Sequence, residues 1–180
     1  MTAMTTLPFS VDGWTVDDLP DEGTRLYELV DSALLVSPPP RLEHDDAASA
    51  LYDLLSPLLP PALRVGLHRG MYFDRRNYRS PDVSVFSRAA ARAKGRIEAP
   101  DVVLAVEVVS PSSVSTDRVA KPAQYAAAGI ARYWRLELDP LLLVVHELTE
   151  GTYREAARFD DEVVVEHPVP LRFALTQLLD

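Results

Sequence analysis

Apolar and polar positions along the chain divide it into segments of contrasting period. Trp14 to Gly23 has the pattern of a short helix or turn, closed by an Asp-Glu-Gly break. Leu26-Tyr-Glu-Leu-Val and Leu34-Leu-Val-Ser, with Asp31-Ser32-Ala33 between them, predict two short strands joined by a tight turn. Pro38-Pro-Pro40 ends this hairpin, because consecutive prolines neither donate to a ladder nor continue a helix. From Leu42 to Leu59 the apolar residues Ala47, Ala50, Leu51, Leu54, Leu55 and Leu58 recur at helical spacing. Glu43, Asp45 and Asp46 lie near its start, where the helix dipole favours acids.

Strand-like runs follow at about Arg64–Phe73, Asp82–Ser87 and Val102–Val109. The last is β-branched and apolar almost throughout, which predicts a central strand. Ser115-Thr-Asp117 caps a predicted helix reaching about Ala128, with Gly129 at the C-terminal cap and Pro122 forcing a late start or a bend. Further strands are expected near Tyr133–Leu138, Leu141–Leu148, Tyr153–Ala157 and Glu162–Glu166, then a helical turn at Leu175–Leu179. Residues 1–9 read as a flexible tail and residues 10–180 as one α/β (α+β) domain.

Composition narrows the function classes. The 180 residues carry a net charge of −9 and no cysteine, which excludes disulfides, thiolate metal sites and cysteine nucleophiles. The first basic residue is Arg25 and no apolar run reaches membrane-spanning length, so the expectation is a cytoplasmic protein with no membrane partner. The charge is uneven. Between Arg64 and Arg96 nine basic residues meet only Asp74 and Asp82, a local balance of +7 that leaves −16 elsewhere. Such a tract suits a phosphate-facing edge, with Arg75, Arg76 and Arg79 as candidates; arginines paired with acids elsewhere in the fold give the same pattern.

Two carboxylates are notable for their placement. Asp82 follows Pro81 at the head of a strand, and Glu107 is the one charge in Val102-Val-Leu-Ala-Val-Glu-Val-Val109. A buried charge is costly unless paired or bound to a cation. If the two strands are adjacent, both carboxylates suit one hard divalent ion; a glutamate paired with arginine, or facing solvent, is the competing reading. No histidine pair has zinc spacing, and the seven glycines form no phosphate loop, so neither zinc hydrolysis nor a nucleotide cofactor is expected.

The ordered series Tyr27-Glu-Leu-Val-Asp31, Pro38-Pro-Pro40 with His44, Pro81-Asp82, Val106-Glu-Val-Val-Ser-Pro111-Ser, Asp117-Arg118, Lys121, Tyr125, Ala128-Gly129 and Tyr133-Trp134 resembles the Uma-type restriction-endonuclease family of the PD-(D/E)xK superfamily. The resemblance runs from about residue 10 to the C-terminus. It implies a restriction-endonuclease-like core, a mixed β-sheet flanked by helices, with an N-terminal hairpin and extra C-terminal strands. It also implies Mg²⁺ or Mn²⁺ held by Asp82, Glu107 and the Val108 backbone carbonyl. The superfamily's lysine position, two residues after the glutamate, is Val109 here, and Lys121 on the following helix is its implied replacement.

Supporting roles fall to Glu28, His44, Gln124 and Tyr125. Solvent-facing positions for Glu28 and His44, and a core position for Tyr125, are the alternatives. The implied activity is metal-dependent hydrolysis of DNA phosphodiesters, with a homodimer as the simplest way to present two centres to two strands. A catalytically weak nuclease-fold binding or scaffold protein is the main alternative, and hydrolysis of a smaller phosphorylated or acyl substrate is a third.

Overall fold

The computed structural model describes residues 13–19, 27–37, 39–110 and 116–179. The tail expected over residues 1–9, the Asp-Glu-Gly break at residues 21–23 and Ser115 of the expected helix cap lie outside them. The hairpin forms as β1 (Tyr27–Val30) and β2 (Ala33–Val36). Its two-residue turn, Asp31-Ser32, has positive φ at both positions, the conformation whose twist matches antiparallel strands. Helix α1 (Leu42–Leu55) buries Ala47, Ala48, Leu51 and Leu55. It ends before the expected Leu59, capped by Ser56, because Pro57 cannot donate a helical hydrogen bond.

The predicted strand over Arg64–Phe73 is two strands, β3 (Leu63–Leu67) and β4 (Met71–Tyr72), which enter different sheets. The break falls at His68, whose φ of 47° turns the chain out of the ladder. Gly70 follows it against the Tyr78 ring, where a Cβ would collide. Next come β5 (Tyr78–Arg79), β6 (Val83–Ser87), α2 (Arg88–Lys94), β7 (Ile97–Glu98) and β8 (Val102–Val109). Sequence reading missed α2, β5 and β7. The helix α2 is capped by Ser87, whose Oγ accepts from the Ala90 amide, and closed by Gly95 at φ 70°.

A π-helical turn, Thr116–Ala120, leads into α3 (Lys121–Ala127), so the regular helix starts late, at the residue before Pro122. The remaining strands are β9 (Arg132–Leu138), β10 (Leu141–Thr149), β11 (Thr152–Phe159), β12 (Glu162–Val165) and β13 (Leu171–Ala174), the last unforeseen, before a 3₁₀ turn at Leu175–Leu178.

The main sheet has the order β11-β10-β9-β8-β6-β3, with β8 in the interior as its composition predicts. Among the pairs described in this sheet only β8 and β9 run parallel, and α3 supplies the crossover that a parallel pair requires. A second sheet, β2-β1-β5-β4-β7, brings the hairpin against the basic tract. Leu104, Val106 and Val108 of β8 join the core beneath α1 and β12–β13, whereas Ala105 joins the opposite core with Tyr125, Ile130 and Tyr133. Among the described residues no helix is long and apolar enough to cross a membrane.

Candidate active site

Alternation along β8 decides where Glu107 points. It shares a face with Ala105, towards α3, and is 1% exposed. Two residues of α3 reach it: Lys121 Nζ donates to Oε2 at 2.7 Å and the Tyr125 hydroxyl donates to Oε1. The π-helical turn adds Asp117, whose Oδ1 is 3.1 Å from Lys121 Nζ. That turn is itself anchored by the Tyr133 hydroxyl, which donates to the Asp117 carbonyl at 2.6 Å.

Glu28 closes the group from the second sheet. Because Leu29 pairs with Tyr78, Glu28 and Arg79 come together, and Arg79 Nη1 donates to Glu28 Oε2 at 2.7 Å. Ser80 N–H donates to the other oxygen, which lies 3.9 Å from Lys121 Nζ. Arg79 Nε donates to Gln124 Oε1 at 2.8 Å. Arg79 is 3% exposed. A candidate for a phosphate-facing edge, it lies buried with Nε donating to Gln124 and Nη1 to Glu28. Arg75 pairs with Asp17 at the surface, and Arg76 is exposed in the β4–β5 turn.

Asp82 precedes Val83, which pairs with Val106, so Asp82 and Glu107 are neighbours across β6 and β8. The Val108 amide donates to Asp82 Oδ2 at 2.8 Å. His44 Nε2, from the first turn of α1, lies 3.3 Å from the same oxygen, and His68 Nδ1 lies 3.6 Å from Oδ1. The structure thus draws Glu28, His44, Asp82, Glu107, Lys121, Gln124 and Tyr125 into one region. It adds His68 and Asp45, which sequence reading passed over; only the β3–β6 register reveals that His68 and Asp82 meet.

The electrostatics are those of a crowded acidic site. Burial pushes the Glu107 carboxyl well above its ordinary value against the pull of Lys121, and the charges of Asp82, Asp117 and Glu28 push the same way. Burial alone would lower Lys121, but Glu107, Glu28, Asp117 and Asp82 overrule it and keep the ammonium firmly protonated. Burial also opposes ionisation of Asp82, yet the hydrogen bond and charge of His44, the Lys121 charge and the Val108 amide hold it below the usual range. His44, disfavoured as a cation by burial, is raised by Asp82, Asp45 and the Val108 backbone.

Among the described residues no group of three or more acidic or imidazole side chains is set as a ready-made metal cage. The donor chemistry nevertheless fits a hard divalent ion that keeps much of its water. Asp82, Glu107 and the Val108 carbonyl are all oxygen donors, and a carboxyl whose ionisation the site resists is one that a dication relieves.

A mixed sheet with this interior strand, its crossover helix and the hairpin packed beside it define an α+β protein of restriction-endonuclease-like fold. The chain belongs to the Uma2 family, described as "Putative restriction endonuclease", whose model matches residues 15–178. A solved structure described as a "putative nuclease belonging to DUF820", from Anabaena variabilis ATCC 29413, is similar in fold. It aligns with a TM-score of 0.70 at 20% identity, over 92% of this chain and 97% of that one. No curated protein matches the chain significantly.

Proposed function

We propose that the chain is a metal-dependent endonuclease that hydrolyses phosphodiester bonds in DNA. The observation that carries this reading is Glu107: a buried carboxylate on an interior strand, flanking Asp82 and 2.7 Å from the ammonium of Lys121. Asp82, Glu107 and the Val108 carbonyl would hold Mg²⁺ or Mn²⁺. Such an ion supplies a bound water of lowered pKa and polarises the scissile phosphate. Lys121 keeps its charge in this setting and stabilises negative charge developing on phosphate oxygens. Asp117, Glu28 and Tyr125 fix the geometry around it, and Arg79 orients Gln124 beside it. Arg75 and Arg76 on the β4–β5 turn follow the DNA backbone, and a homodimer presents two centres to two strands.

Nicking of supercoiled plasmid in Mn²⁺, abolished by chelator and lost in folded Asp82→Asn and Glu107→Gln proteins, is the expected result. Variants that cut as well as the parent would remove the site from the chemistry.

A second reading, a binding or scaffold protein on the same fold, has its own support in the basic tract. Arg75, Arg79, Lys94 and Arg96 are held by Asp17, Glu28, Glu98 and Asp101, which neutralises much of the local charge. Partner binding that is insensitive to salt, with no metal-dependent cleavage, distinguishes it.

A further inference from the structure

The register of β3 on β6 places His68 beside Asp82. Leu67 pairs with Val83, so the residue just after β3 meets the residue before Val83, and His68 N–H donates to the Asp82 carbonyl at 2.8 Å. At φ 47° His68 adopts left-handed backbone, which residues with side chains keep only where their surroundings hold them there. That turn aims the imidazole between two carboxylates: Nδ1 is 3.6 Å from Asp82 Oδ1 and Nε2 is 3.5 Å from Asp45 Oδ1. His44 repeats the arrangement from α1, with Nε2 3.3 Å from Asp82 Oδ2 and Nδ1 3.8 Å from Asp45 Oδ1. Each oxygen of Asp82 thus faces a different imidazole, and Asp45 lies near the far nitrogen of both, without a hydrogen bond to His44 Nδ1.

We propose that Asp45 and His68 are positioning residues of the proposed metal centre, holding the Asp82 carboxylate in the orientation from which it binds the ion. The inference rests on the metal-dependent reading above. A carboxylate on a flexible side chain is a weak ligand until its rotamer is fixed, and partners of this kind are worth about 10- to 100-fold in metal affinity. His68 acts on Asp82 twice, through its backbone amide and its ring, and Asp45 acts through the imidazoles. Separations of 3.5–3.8 Å are longer than good hydrogen bonds, as is usual where polar groups tighten only in the loaded state.

The test compares Mn²⁺ binding by the full chain, followed by electron paramagnetic resonance of the free ion, in the parent, Asp45→Asn and His68→Asn. Asparagine tolerates left-handed backbone, so the second variant isolates the ring. Melting in chelator checks that both are folded, and Asp45→Asn decides alone if His68→Asn is not. Mn²⁺ affinity is expected to fall about 10- to 100-fold. Plasmid cleavage should recover at saturating Mn²⁺ with the KM for DNA unchanged. Unchanged Mn²⁺ affinity in a folded Asp45→Asn protein overturns the positioning role alone, as does cleavage that saturating Mn²⁺ fails to restore. A parent that binds no Mn²⁺ overturns the metal-dependent reading and this inference with it.

Discussion

Lys121 Nζ lies 2.7 Å from Glu107 Oε2 across fourteen residues of chain, so the cation facing the buried carboxylate comes from the crossover helix and not from β8 itself. The β8 position two residues after Glu107 is Val109, which is buried with the rest of the strand. Interior placement of β8 leaves a lysine little room there, whereas α3 can bring its first residue over the sheet. The π-helical turn preceding α3 puts Asp117 against the same ammonium.

Lys121→Met should therefore destabilise the metal-free protein. The change leaves Glu107, Asp117, Glu28 and Asp82 facing one another without their shared cation, and breaking a buried pair from one side costs about 3–5 kcal/mol. Urea unfolding at pH 7 in chelator measures this. The deficit should shrink at pH 5, where Glu107 more readily takes a proton; a deficit independent of pH would mean that the carboxylate repulsion is not its source.

Glu107→Gln should show the opposite pH dependence. Burial raises the Glu107 carboxyl, so the folded chain holds that proton more tightly than the unfolded one, whose glutamate titrates at about 4.3. The stability this contributes is complete below that value and is lost as pH rises through the folded one, by at most about 1.4 kcal/mol per pH unit. Glutamine does not titrate. In chelator its unfolding midpoint should gain on the parent's as pH is raised from 4.5 towards 8, and parallel curves would count against the raised carboxyl.

What sequence could and could not show follows from the length and isolation of each signal. Helix α1 and strands β8 to β11 carry enough residues for their period to be read. The two-residue strands β4, β5 and β7 carry none, and α2 is an alanine–arginine segment whose charge masked its helical character. Glu107 stood out as a single charge among β-branched neighbours, but Lys121 was legible only through a family pattern. The Glu28–Arg79 pair spans 51 residues and exists because β1 lies beside β5; nothing local announces it. The same holds for His68 and Asp82, joined by the register of β3 on β6.

Gly70 tests the break between β3 and β4. A Cβ there would overlap the ring and hydroxyl of Tyr78, which is 6% exposed and packed in the second sheet. Gly70→Ala should cost at least about 1–3 kcal/mol, the usual range for forced overpacking. In a Tyr78→Ala background the same change should cost much less, so a double-mutant cycle on denaturation midpoints should show strong coupling. Additive effects would place the cost of Gly70→Ala elsewhere than at the Tyr78 ring.

Arg79 separates an internal role from a phosphate-binding one. It is held by Glu28 and Gln124 at 3% exposure, which favours the internal role. Arg79→Met should destabilise the protein by about 3–5 kcal/mol by stranding Glu28, and Arg79→Met with Glu28→Gln should recover much of that loss. The salt dependence of DNA binding by the single variant, measured where it remains folded, should match the parent's. Arg76→Ala, at an exposed turn position, should lower the slope of log K against log salt by about 0.9 for each phosphate that the arginine neutralises, with little effect on stability. If Arg79→Met reduces the slope and Arg76→Ala does not, the guanidinium leaves its internal partners when DNA binds, and the buried pair is then a store of positive charge for the phosphate backbone.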